Sequence, residues 1–152
     1  MDEEERAERI AYLLALEIAT IVDDLEARQA FLIDLWGRHR DRGPFLDTIF
    51  SRFRTLDFND LALLETDTVS RVHAFYKELD EFRLYIQFTE EMPTSLADAY
   101  TWQLTRLNAF AEVAVDALGG APEPVVVDIP EPGEVLEQSP PDRPLLELSR
   151  FE

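Results

Sequence analysis

The sequence predicts an all-α protein, a compact bundle of four to five mostly antiparallel helices followed by an extended, proline-rich C-terminal tail. Apolar residues recur at three- and four-residue spacing in several segments before residue 120. The helix breakers Gly43-Pro44, Met92-Pro93 and Gly119-Gly120 separate those segments. Seven of the nine prolines lie between Pro122 and Pro144, where no helix is expected.

The first helix is predicted to begin among the acids at residues 2–5 and to end at residue 23 or 24, because acidic side chains suit the positive end of a helix dipole. Tyr12, Leu13 and Leu16 lie off the core-facing stripe, so this helix is apolar on nearly every side. Part of it is therefore expected to contact another chain. The core-facing stripe consists of Ile10, Leu14, Ile18, Ile21 and Leu25.

A second helix is predicted over residues 25–40, and Gly43-Pro44 ends it because proline begins a helix more readily than it continues one. Apolar residues at helical spacing then predict a short third helix over residues 45–53. Residues 56–60 are expected to form a turn in which Asp57 is one of the side chains available to cap the next helix.

The fourth helix is predicted from residue 60 or 66 to residue 89, and the fifth from residue 94 or 95 to Gly119-Gly120. The core-facing stripe of the fifth helix is predicted to consist of Leu96, Tyr100, Leu104, Leu107, Ala111, Ala114 and Leu118. Both helices carry more apolar side chains than one such stripe needs. These are expected either to complete the core or to form an exposed interaction surface. The surplus residues are Leu84, Tyr85, Phe88, Trp102 and Phe110.

Composition divides the chain near residue 120. Residues 1–120 are predicted to form the helical domain, and residues 121–152 an acidic proline-rich tail that is extended or disordered. Two apolar clusters within the tail are candidate docking segments. They are Val125, Val127 and Ile129, and then Leu145, Leu146, Leu148 and Phe151.

The charge of the chain restricts its partners. With 32 Asp and Glu against 14 Lys and Arg, the formal net charge is −18, which argues against nucleic-acid binding. Adaptation to high salt would also explain this acidity. The longest apolar run covers residues 10–22 and is interrupted by Glu17, so no membrane span is expected. The lack of cysteine and the acidic N-terminus favour a cytoplasmic location.

The motifs that would identify a catalytic or metal site are missing from the sequence. His39 and His73 are the only histidines, and neither has the glutamate three residues earlier that helical di-iron sites use. Without cysteine, a Gly-x-Ser-x-Gly turn or a glycine-rich phosphate loop, the sequence predicts neither an enzyme nor a cofactor.

A local reversal of charge lies between residues 38 and 54. Arginine matches carboxylate and phosphate geometry, so this arginine corner is a candidate site for an anion, an acidic partner or the acidic tail. Alternatively, its arginines only complement the C-terminal dipole of the second helix. The arginine corner comprises Arg38, Arg40, Arg42, Arg52 and Arg54.

Glu17 and Arg83 are charges within strongly apolar helices, both near a core-facing position. One hypothesis is that they meet as an internal polar pair that fixes helix register. The alternative is that each extends from the edge of its apolar stripe into solvent.

Three functions are compatible with these features. The first is a non-enzymatic protein–protein interaction module, such as an adaptor, scaffold or regulatory subunit, that uses an apolar helical face and tail segments to bind another protein; self-association is also open. The second is an acidic mimic or chaperone that shields a basic protein. The third is an enzyme or small-ligand sensor whose interhelical pocket contains Arg83, Tyr76, Tyr100 or His73.

Overall fold

The computed structural model describes residues 2–39, 43–49, 51, 53–88 and 93–131, with side chains except at 35–39, 44, 45 and 93. All regular structure in that part of the chain is helical, so the predicted all-α bundle is confirmed. The elements in order are α1 (Glu3–Ala27), α2 (Gln29–His39), α3 (Gly43–Asp47), a 3₁₀ turn (Phe53–Thr55), α4 (Phe58–Leu61), α5 (Thr66–Phe88) and α6 (Pro93–Ala117).

Helix α1 begins where the acids predict. Asp2 is its N-cap, and its carboxylate accepts a hydrogen bond from the Glu5 backbone N–H at 2.8 Å. The helix ends at Ala27, later than predicted, because no glycine or proline stands near the expected end. The chain keeps a nearly helical turn at Arg28, whose N–H donates to the Asp24 carbonyl at 3.0 Å, before α2 begins.

The ends of α6 follow from its sequence. Pro93 is the first helical residue, slightly earlier than predicted, because a fixed φ and a missing N–H are tolerated in a first turn. After Ala117 the chain takes left-handed φ values of 107° at Gly119 and 101° at Gly120. The Gly120 N–H donates to the Val115 carbonyl at 2.9 Å, which closes the helix as the glycine pair predicts.

Helix α6 is the centre of the bundle, because α1, α2 and α5 all pack against it. The Thr68 hydroxyl of α5 lies near the end of α6, where it donates to the Ala117 carbonyl at 3.4 Å. Phe82, later in α5, packs edge-on against Tyr100 near the start of α6, so the two helices are antiparallel. The Tyr100 hydroxyl donates to the Leu25 carbonyl, which places the end of α1 beside the start of α6.

The predicted apolar stripes of the long helices form the core. Every member of the α1 stripe is buried, and Phe75 and Phe82 of α5 are fully enclosed between the helices. The Tyr100 hydroxyl satisfies one of the carbonyls that the last turn of α1 leaves without a helical partner. The α6 stripe comprises Leu96, Tyr100, Leu104, Leu107, Ala111, Ala114 and Leu118.

The chain divides into two units, Met1–Pro122 and Glu123–Glu152. In the second unit, the described residues 123–131 have no regular secondary structure, and Val125, Val127 and Ile129 are exposed. The predicted docking residues Leu145, Leu146, Leu148 and Phe151 lie outside the described residues. Across the described ranges, no helix combines the length and apolarity that crossing a bilayer requires.

Candidate functional site

A groove of about 380 Å³ runs along one side of α1. It extends from Ile10 to Arg28, which corresponds to about 27 Å of helix at 1.5 Å per residue. The segment between α3 and α4 forms the opposite wall, where Ile49, Phe53 and Leu56 contribute apolar side chains. The groove is therefore an apolar surface that lies between two elements distant in sequence.

Two of the exposed apolar residues that the sequence identified on α1 line the groove. Leu13 is 59% exposed and Leu16 is 42% exposed, and both line the groove. Tyr12, which is 54% exposed, lies beside Leu13 on the outer side of the helix. Their exposure follows from helical geometry, because all three residues lie outside the core-facing stripe.

A polar cluster at the centre of the groove connects three elements. The Glu17 carboxylate accepts hydrogen bonds from the Tyr76 hydroxyl at 2.6 Å and the Ser51 hydroxyl at 3.2 Å. The Phe53 ring stacks on the Tyr76 ring with 4.2 Å between centroids. Glu17 therefore holds the far wall of the groove against α1 and α5.

Arg83 contacts the same wall at a different point. Its guanidinium donates to the Ile49 carbonyl at 2.8 Å, whereas Glu17 bonds to Ser51 and Tyr76. A direct Glu17–Arg83 pair therefore stays a prediction. The bonds that are described connect each of the two charges to the segment between α3 and α4, through Ser51 and Ile49 respectively.

Two buried tyrosines have raised pKa values. Burial raises the pKa of Tyr76 far above its usual range, and the hydrogen bond and negative charge of Glu17 raise it further. Burial also raises the pKa of Tyr100, although the positive charge of Arg28 partly opposes the change. Both phenols therefore stay protonated in the folded protein at pH values where they ionise in the unfolded chain.

These pKa shifts predict a loss of stability in alkali. Below about pH 10, the ordinary pKa of a phenol, the ionisation of these two tyrosines should not affect the free energy of unfolding. Above that pH the free energy of unfolding should fall, because the unfolded chain releases phenol protons that the folded chain retains. Urea unfolding between pH 8 and 11.5 measures this slope. Tyr76→Phe and Tyr100→Phe should each flatten it, and an unchanged slope in both variants would contradict the assignment.

A second cavity, of about 570 Å³, lies between α5 and residues 46–54. Its lining includes Arg54, a member of the predicted arginine corner, together with His73, Lys77 and Arg83 from α5. Arg54 forms a salt bridge with Asp80 at 2.9 Å. The sequence did not connect these α5 residues with the arginine corner, because nothing in their spacing shows which segment faces them.

The other members of the arginine corner have no described side chain. Arg38 belongs to α2, but the structure describes its backbone alone. Arg40, Arg42 and Arg52 lie outside the described residues. A site that joins all five arginines therefore remains a prediction.

Helices α5 and α6 each carry exposed apolar side chains. Leu84 is 55% exposed, Phe88 is 70% exposed and Trp102 is 64% exposed. Tyr85 and Phe110 are partly buried against the core. Some of the surplus apolar residues of these helices thus pack against the core, and the others are exposed on the surface.

Two exposed aromatic residues were missed by the sequence reasoning. Phe31 of α2 is 66% exposed and Phe58 of α4 is 87% exposed. Phe31 is next to the buried Leu32 in the sequence and therefore lies off the buried side of α2, so helical periodicity could have predicted its exposure. Phe58 follows the Asp57 cap in a helix too short to show a periodic pattern.

Metal chemistry receives no support from the described side chains, because no three His, Asp or Glu residues among them cluster as metal ligands would. The chain was compared with protein-family models, with curated proteins and with solved structures, and it matches none of them.

Proposed function

We propose that this chain is a non-enzymatic protein–protein interaction module whose α1 groove binds a basic, amphipathic helix of another protein. One observation carries the proposal. The core is complete without Leu13 and Leu16, and yet these leucines remain exposed along an apolar groove. Water-exposed leucines beside a concave apolar surface are typical of protein interfaces.

The dimensions of the groove favour a helical partner. A helix of about 18 residues would match the roughly 27 Å between the two ends of the groove. Such a helix would place apolar residues at i, i+3, i+4 and i+7 against α1 and the opposite wall, the usual arrangement when a helix occupies a groove. The Glu17 cluster supports this use, because it holds the far wall in place without the partner.

Charge favours a basic partner over a second copy of the chain. Helix α1 carries eight acids and two arginines, and the groove lining itself contains Glu17 and Asp24 against Arg28, which forms a salt bridge with Asp24 at 3.6 Å. Two copies, each with a net charge of −18, would repel one another when their acidic helices met. A partner with lysine or arginine beside its apolar stripe would instead be attracted.

The proposal joins the adaptor hypothesis to part of the acidic-mimic hypothesis. A pure mimic would bind through charge alone and would release its partner at high salt. A groove that buries leucines should keep much of its affinity, because salt does not weaken apolar contacts. The exposed apolar side chains of α5 and α6, Trp102 and Phe88 among them, are a separate candidate site that the same experiment tests.

The test uses two dye-labelled synthetic peptides of 18 residues with the same leucine stripe, one with lysine and one with glutamate on the polar face. Fluorescence anisotropy with the full chain should show micromolar binding of the lysine peptide and at least about tenfold weaker binding of the glutamate peptide. Leu13→Asp should weaken binding of the lysine peptide at least about tenfold, because it places a charge in the apolar contact.

Leu84→Asp is the matched control, since Leu84 is 55% exposed where Leu13 is 59% exposed and neither substitution disturbs the core. It should change the affinity less than about twofold. Equal weakening by the two variants would move the site away from α1, and failure of the lysine peptide to bind would reject the proposal. Sedimentation of a dimer that Leu13→Asp dissociates would show that the occupant is a second copy.

A further inference from the structure

The described part of the chain leaves few positive charges without a carboxylate partner. Arginine side chains at positions 6, 28, 54, 71 and 106 form salt bridges. Among the remaining described basic side chains, Arg9, Lys77 and Arg83 form none. In a protein with 32 acids and 14 basic residues, two unpaired cations at one place call for an explanation.

Lys77 and Arg83 both line the cavity between α5 and residues 46–54. His73 joins them one turn before Lys77, which places the two side chains on neighbouring positions of the same helix face. Arg54 lies on the opposite wall of the cavity and forms a salt bridge with Asp80 of α5. Arg54, Lys77 and Arg83 therefore lie on two sides of the cavity, whose lining also contains Asp47 and Asp80.

The remaining lining of the cavity is mixed. Leu46, Ile49 and Leu79 provide apolar wall, and the Phe53 ring stacks on Tyr76 at its edge. The volume of about 570 Å³ lies within the range of small-molecule pockets, which spans roughly 300–1,000 Å³. A ligand for this cavity needs an anionic group and an apolar body.

We propose that this cavity binds a small organic anion, in which a phosphate or carboxylate group lies near Lys77 and His73 and an apolar body lies against Leu46 and Leu79. Lysine donates charge-assisted hydrogen bonds to such groups, the His73 ring N–H donates a further hydrogen bond, and Arg83, which donates to the Ile49 carbonyl, extends the same positive surface. Asp47 also lines the cavity and limits the affinity, so we expect dissociation constants of about 1–10 mM for simple probes.

This site is separate from the proposed helix-binding groove. Ile49 and Phe53 line both cavities, so the segment between α3 and α4 is the wall between them. The anion site uses α5, whereas the groove uses α1. Failure of either proposal therefore leaves the other standing.

The test is an NMR titration of the full chain with phenyl phosphate, phenylacetate and inorganic phosphate at constant ionic strength. The chain has two histidines, so a His73→Gln variant assigns the imidazole signals of His73. Phenyl phosphate or phenylacetate should shift those signals saturably, and whichever probe binds identifies the anionic group. Inorganic phosphate should bind at least about fivefold more weakly than phenyl phosphate, because it has no apolar body.

Lys77→Gln should weaken binding at least about fivefold. Arg71→Gln is the matched control, because it removes the same charge from the same helix. Arg71 forms a salt bridge with Asp67 and does not line the cavity. The control substitution should change the affinity less than about twofold. If the two variants weakened binding equally, the loss of affinity would come from the overall charge of the protein and not from a contact in the cavity, and the proposal would be overturned. The absence of saturable shifts up to about 20 mM of every probe would also overturn it.

Discussion

Phe82→Ala should lower the free energy of unfolding by about 3–5 kcal/mol. The Phe82 side chain is 0% exposed, and its ring packs edge-on against Tyr100 with 5.2 Å between centroids. Removing it leaves a cavity between α5 and α6, the two most extensively packed helices. Since a domain of this size is stable by only about 5–15 kcal/mol, the variant should lose much of its stability. Urea unfolding followed by circular dichroism measures the change.

Phe88→Ala is the control for this prediction. Phe88 lies later on the same helix and is 70% exposed, so the same chemical deletion should change stability by less than about 0.5 kcal/mol. The pair of variants separates burial from helix propensity, because phenylalanine is exchanged for alanine in both. Similar losses in the two variants would show that the buried face of α5 has been assigned incorrectly.

Arg106→Leu should destabilise the protein by about 3 kcal/mol through a different mechanism. Glu78 is one of two buried polar residues among those described, and its carboxylate forms a salt bridge with Arg106 across α5 and α6. The Glu78 side chain is 8% exposed, whereas that of Arg106 is 50% exposed. Loss of the arginine therefore leaves a carboxylate that water reaches poorly.

A double-mutant cycle tests this reasoning. Glu78→Leu with Arg106→Leu should recover most of the lost stability, because it replaces the buried charge with apolar surface. Glu78→Leu alone should cost less than Arg106→Leu alone, since the half-exposed arginine keeps its contact with water. The Arg106 guanidinium also lies over the Phe110 ring, 5.8 Å from its centroid, and that contact should persist in the Glu78 variant. Additive losses in the double variant would show that the two side chains do not interact.

The sequence by itself determined the long helices and their buried sides. The predictions for the short elements were wrong, since α3 covers Gly43–Asp47 and not residues 45–53, and the helix α4 (Phe58–Leu61) begins within the predicted turn. Apolar residues at three- and four-residue spacing predicted the α1 and α6 stripes, and the same geometry predicted that Tyr12, Leu13 and Leu16 face away from the core. Local signals also fixed helix ends, such as Asp2 at the start of α1 and the glycine pair after α6. These features depend on residues within a turn or two of one another, so a linear sequence records them.

Tertiary structure alone decided how the helices combine into sites. The wall of the groove opposite Leu13 comes from residues beyond α3, and Glu17 accepts hydrogen bonds from Ser51 and Tyr76, which lie far from it in the sequence. The cavity with Lys77 likewise joins side chains that no local spacing connects. Helical periodicity states which face of a helix is apolar, but it does not state which segment covers that face. That choice depends on packing between elements far apart in the chain, where shape, charge and hydrogen bonding are settled together.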